Sequence, residues 1–65
     1  MITLTRLNGQ RLVVNAELIK TVEETPDTTL TLLNGDRLLV RESMEEIVRR
    51  AVDYARQVRT FAVRP

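Results

Sequence analysis

Leu4-Thr-Arg-Leu-Asn-Gly-Gln-Arg-Leu-Val-Val-Asn15 is echoed by Leu30-Thr-Leu-Leu-Asn-Gly-Asp-Arg-Leu-Leu-Val-Arg41, with eight of twelve positions identical at an offset of 26 residues. Each copy is an apolar–polar alternation interrupted by Asn-Gly, the strongest short hairpin signal. Two β-hairpins are therefore predicted, at about 2–14 and 28–41. Register follows from how the side chains sort. A two-residue turn at Asn8-Gly9 would put Leu12 and Val14 on the face of Thr3 and Thr5. A three-residue loop, Leu7-Asn8-Gly9, pairs Arg6 with Gln10 and gathers Ile2, Leu4, Leu12 and Val14 on one face. Thr3, Thr5, Arg11 and Val13 then share the other. In the second copy Leu30, Leu32, Leu38 and Val40 separate from Thr29, Thr31, Arg37, Leu39 and Arg41 in the same way. One face must be buried, so the sorted register is the expected one. It requires Gly9 and Gly35 in the left-handed conformation of a G1 bulge.

Outward from the hairpins, Asn15 before Ala16-Glu17-Leu18 predicts a short capped turn. Ile19 to Glu24 predicts a strand, closed by a turn at Pro26-Asp27. The sum is about five strands in one antiparallel meander. Ser43-Met44-Glu45-Glu46 is a capping box, with Ser43 as N-cap and Glu46 at N3. A helix over about 44–59 follows. Met44, Ile47, Val48, Ala51, Val52, Ala55 and Val58 form its apolar stripe. Glu45–Arg49 and Glu46–Arg50 are i,i+4 pairs in the favourable order. The expected fold class is thus α+β: a small meander sheet with one C-terminal helix. Residues 1–59 form a single domain, and 60–65 a tail in which Phe61 and Val63 are apolar.

The chain has 65 residues and a mass of 7.5 kDa. A core this small is marginal and usually needs a staple. There is no Cys and no His, so disulfides and thiolate or imidazole metal sites are absent. Self-association is the staple left, and a homo-oligomer is expected. The same counts exclude Cys–His and Ser–His–Asp chemistry. The adjacent pairs Glu23-Glu24 and Glu45-Glu46 are not acid/base pairs, because neighbours in a strand or a helix do not face each other. They read as solvated surface. Gly9 and Gly35 are the only glycines and both serve turns, so no phosphate loop exists. No catalytic residue, cofactor, metal or small-molecule substrate is expected.

Hydrophobic residues make up 43% and charged residues 29%, the mix of a folded domain. No apolar run approaches a membrane span. The start, Met1-Ile-Thr-Leu-Thr-Arg6, lacks the pattern of a signal peptide, so the cytoplasm is the expected location. Charge is segregated: +2 over residues 1–14, −5 over 15–46 and +4 over 47–65. The basic end is read as compensation of the helix dipole. Nucleic acid is not expected as a partner, since only Tyr54 and Phe61 could stack on bases. Leu7 and Leu33 sit at the hairpin tips. With Tyr54 and Phe61 they are the candidate interface residues.

A resemblance adds what the residues alone do not. Met1-Ile-Thr-Leu-Thr-Arg-Leu-Asn-Gly9, Asn15-x-Glu17-Leu18-Ile19 and Glu23-Glu-Thr-Pro-Asp-Thr-Thr-Leu-Thr-Leu32-x-Asn34-Gly35 resemble the FlbD/SwrD family of small flagellar proteins. The likeness covers about residues 1–55. It implies a non-enzymatic cytoplasmic protein of flagellar motility and swarming, supporting motor torque through contact with a motor or stator protein. A second, narrower likeness lies at the two ends. Met1 to Arg6, and Val40-Arg-Glu-Ser-Met-Glu-Glu-Ile47, are similar to the carbon storage regulators. That likeness implies messenger-RNA binding, with Leu4, Arg6, Arg41 and Glu42 as contact positions. The central stretch departs from that family.

Overall fold

The structure is a computed structural model that describes residues 1–62, with side chains as far as Val58. Among the described residues the chain forms a two-stranded and a three-stranded antiparallel sheet and one helix. Strands β1 (Ile2–Thr5) and β2 (Arg11–Val14) form a two-stranded sheet. A 3-10 turn at Ala16–Leu18 leads to β3 (Ile19–Glu24), β4 (Thr28–Leu32) and β5 (Arg37–Val40), a second sheet in the order β3-β4-β5. Helix α1 (Met44–Ala62) follows.

The class is α+β, but the single five-stranded meander is corrected to two sheets. The break lies at the 3-10 turn. Asn15 Oδ1 accepts from the Glu17 N–H at 3.0 Å, and the Asn15 carbonyl accepts from Leu18 N–H at 2.9 Å. These bonds take the chain away from β2, and β3 pairs with β4 instead. Pairing there slips between Ile19 and Thr21, so Lys20 is an extra residue in β3. The sheets touch at one bridge, Arg6 opposite Val40, where Arg41 N–H donates to the Thr5 carbonyl at 2.8 Å.

Within the hairpins, Ile2 faces Val14 and Leu4 faces Leu12, while Thr28 faces Val40 and Leu30 faces Leu38. Arg6 N–H donates to the Gln10 carbonyl at 2.7 Å, and Leu32 N–H to the Asp36 carbonyl at 2.8 Å. Gly9 and Gly35 have φ of 95° and 96°, a region L side chains rarely adopt. Side-chain oxygens of Asn8 and Asn34 accept from Gln10 and Asp36 N–H at 2.9 Å each, closing both turns alike. The Thr25–Pro26 peptide, in the β3–β4 connection, is cis.

The sorted faces meet in one core. Ile2, Leu4 and Val14 come from the first hairpin, Leu30 and Val40 from the second, and Ile47 from α1. Leu4 and Leu30 are fully buried. Burying each such side chain is worth about 1.5–3 kcal/mol. Leu12, Ile19, Val22, Leu32, Leu38 and Tyr54 pack around them, half-buried.

At the start of α1, Ser43 Oγ accepts from Glu46 N–H at 3.1 Å. The reciprocal half of the capping box is absent, because the Glu46 carboxylate turns to Arg49 and Arg50. Glu24, at the end of β3, takes a further free amide of the helix start, accepting from Met44 N–H at 3.3 Å. The Glu46–Arg50 pair forms at 2.6 Å. Glu45–Arg49 does not, since Arg49 reaches Glu46 and, at 3.0 Å, Asp53. The helix runs on through Thr60, Phe61 and Ala62, the beginning of the stretch set apart as a tail. Residues 63–65 lie outside those described.

Candidate interaction surface

The apolar stripe of α1 is wider than the strip it buries. Ile47 is buried, and Met44, Ala51 and Tyr54 are half-buried. Val48, Val52, Ala55 and Val58 are exposed. Tyr54 therefore belongs to the edge of the core rather than to an open surface. It also lines a cleft of about 300 Å³ with Met1, Thr3, Arg50 and Asp53. Arg50 and Asp53 of that lining are both engaged in ion pairs. The Phe61 side chain lies outside those described.

The tip leucines are exposed, Leu7 at 40% and Leu33 at 62%. The structure does not bring them together. The Leu7 carbonyl accepts from Arg41 Nε at 3.0 Å, just past the C-terminal end of β5. Leu33 sits in the turn before β5 begins. Four strand residues at about 3.3 Å each separate the two ends. Leu33 has another neighbour, which the sequence did not single out. Its N–H donates to the Leu18 carbonyl at 2.8 Å, and Leu18 is 47% exposed. Two exposed leucines from distant turns are thus tied backbone to backbone, as an apolar knob at an end of the three-stranded sheet. The local signal for Leu18 was only an apolar residue closing a polar-capped turn.

A polar cluster joins the first hairpin to the rest. In an antiparallel pair, alternate residues aim their backbone groups away from the partner strand. On β1 these are Thr3 and Thr5. Glu42 Oε1 accepts from Thr5 N–H and Glu42 Oε2 from Thr5 Oγ1, both at 2.9 Å. Arg50 Nη1 donates to the Thr3 carbonyl at 2.5 Å and lies 3.6 Å from Glu42 Oε2. Beyond the backbone bond from Arg41 to Thr5, the open edge of β1 is thereby covered by side chains. Burial works against the charge on Glu42, but the two Thr5 donors and Arg50 outweigh it and hold the carboxyl below its usual range. Hydrogen bonds from Arg49 and Arg50 bring Glu46 down to about 2.

The positions implied by the RNA-binding likeness are scattered or engaged. Leu4 is fully buried and cannot present its side chain to a ligand. Glu42 is occupied by Thr5, and Arg41 by the Leu7 carbonyl. Arg6 is exposed. Among the described residues no cluster of acidic side chains could hold a metal ion, and no helix is long and apolar enough to cross a membrane.

No curated protein and no solved structure matches the chain significantly. The family model FlbD, flagellar and swarming motility proteins, matches residues 1–59. That span takes in both Asn-Gly turns, the Glu42–Thr5 cluster and α1 as far as its sheet contacts reach. The chain therefore belongs to the FlbD family of flagellar and swarming motility proteins.

Proposed function

We propose that this motility protein acts in the cytoplasm as a non-enzymatic interaction module that supports flagellar motor torque through contact with a motor or stator protein. The observation that carries the reading is the Leu18–Leu33 knob, two exposed leucines whose backbones are joined by a hydrogen bond. Exposed apolar residues held on a rigid sheet end are the kind of anchor a protein partner buries. Leu7, at the other end of β5, offers a second and separate contact point. Family membership supplies the flagellar context, and the committed state of Glu42, Glu46, Arg49 and Arg50 leaves no obvious catalytic set.

Deletion of the gene, followed by counts of flagella and torque measurement on tethered cells, tests this reading. Normal flagella with low torque support it. Complementation with Leu18→Ser/Leu33→Ser should then restore protein level but not torque. Altered flagellin with normal torque per motor would replace it with control of expression.

A further inference from the structure

Val48, Val52 and Ala55 make an i, i+4, i+7 row along α1, turned aside from the line that Ile47, Ala51 and Tyr54 present to the core. Val48 is 49% and Val52 41% exposed. Past Tyr54 every described side chain of the helix is exposed, so Val58 continues the inward line beyond the sheets. The helix, about 28 Å long at 1.5 Å per residue, overhangs the body. The molecule measures 44 × 22 × 18 Å, and its radius of gyration is 12.5 Å. A compact chain of this length would have about 11 Å.

We propose that the Val48–Val52–Ala55 row is the contact between two copies of this chain, with their α1 helices antiparallel about a two-fold axis near Val52. The charge order along the helix selects this occupant and this direction. Glu45 and Arg56 border the row on its outer side, and neither enters an ion pair among the described residues. A two-fold axis perpendicular to the helices keeps that border on one side while reversing its direction. Glu45 of each copy then comes within reach of Arg56 of the other. A two-fold axis parallel to the helices would instead carry the border to the opposite side of the seam in the second copy and leave Glu45 without Arg56 across it. The patch is therefore complementary to itself, which is the requirement for a two-fold interface.

The overhang fits the same arrangement, because antiparallel helices carry the two sheet bodies toward opposite ends. A core of six buried hydrophobic residues among those described makes added burial valuable. The row is short beside a standard interface, so the dimer is weak, with a dissociation constant of micromolar order. The pairing leaves the leucine knob out of the contact and does not rest on the motility reading.

Light scattering or sedimentation of the full chain, from about 1 µM to about 1 mM, tests the proposal. The mass should rise from 7.5 kDa toward twice that value. Val52→Lys should move the midpoint at least about tenfold higher, with an unchanged circular-dichroism spectrum. Ala55→Lys, on the overhanging part, is the second probe should Val52→Lys disturb the fold. Glu45→Arg and Arg56→Glu should each weaken the dimer, and the double variant should recover it. A monomer over the whole range overturns the proposal. So does a dimer indifferent to both lysine substitutions, or a double variant no better than the single ones.

Discussion

Glu42 holds Thr5 by both of its hydrogen-bond donors, the backbone N–H and the hydroxyl each lying 2.9 Å from a different carboxylate oxygen. The two residues are 37 positions apart. Thr5 ends the first strand, and Glu42 lies between the last strand and the helix. An isolated two-stranded hairpin is marginal in water. The first hairpin therefore depends on what fastens it, and this contact does so at the point where Arg41 N–H also reaches the Thr5 carbonyl.

Glu42→Ala should detach that fastening. Hydrogen bonds to a charged group are worth about 1.5–3 kcal/mol each, net of the exchange with water. The Glu42 side chain is only 12% exposed, so screening is weak. A loss of about 1–3 kcal/mol in urea unfolding is expected. Amide exchange should quicken in β1 and β2 before it does in β4. Thr5→Val, which keeps the backbone donor, should cost less.

Acid should loosen the same region. Glu42 and Glu46 both have folded-state pKa values below those of the unfolded chain. A depressed carboxyl contributes stability that is complete above the unfolded value and disappears as pH falls through the folded one. Stability should hold steady above about pH 5.5 and decline below the unfolded carboxyl value of about 4.3. For Glu46 the decline continues down to about 2. Chemical denaturation across this range checks the slope, which should flatten in Glu42→Gln/Glu46→Gln.

The two turn glycines should respond unequally. A side chain at Gly35 meets nothing within 4 Å, so Gly35→Ala bears only the left-handed backbone cost of about 1–2 kcal/mol. A Cβ at Gly9 would meet the Arg41 guanidinium at 3.6 Å, ordinary contact that adds little for alanine. Gly9→Val brings larger atoms against Arg41 and its bond to the Leu7 carbonyl, so it should exceed Gly35→Val. Thermal melts of the four variants settle the order.

Core truncation should approach the whole stability of so small a domain. Leu4→Ala and Leu30→Ala, both at fully buried positions, should each lose about 3–5 kcal/mol. Val13→Ser, at 64% exposure on the outer face of β2, should change stability by less than about 0.5 kcal/mol. Urea midpoints compare them directly.

Features decided by neighbours in the chain were legible in advance. Alternation on both sides of Asn-Gly admits one register that buries an apolar face, and Arg6 hydrogen-bonds Gln10 accordingly. Ser43 caps the helix because its hydroxyl is three residues from the amide it accepts. Glu24 is exposed, as its place in the strand predicts, and it also accepts from the first helical amide. Nothing within a few residues of Glu24 announces that partner, which lies 20 positions away. The Leu18–Leu33 knob escaped for the same reason, being made by two turns that meet only after folding.

The repeated hairpins, their turns and the amphipathic helix follow from residue order, because backbone conformation and side-chain alternation act over a few positions. The division into two sheets, the hold of Glu42 on Thr5, and the part of the helix stripe left uncovered follow from packing. The stripe is wide enough to bury Val48 and Val52 as well as Ile47 and Ala51. Which of them meets the core depends on where two short sheets end beneath the helix, and that is a property of the assembled chain.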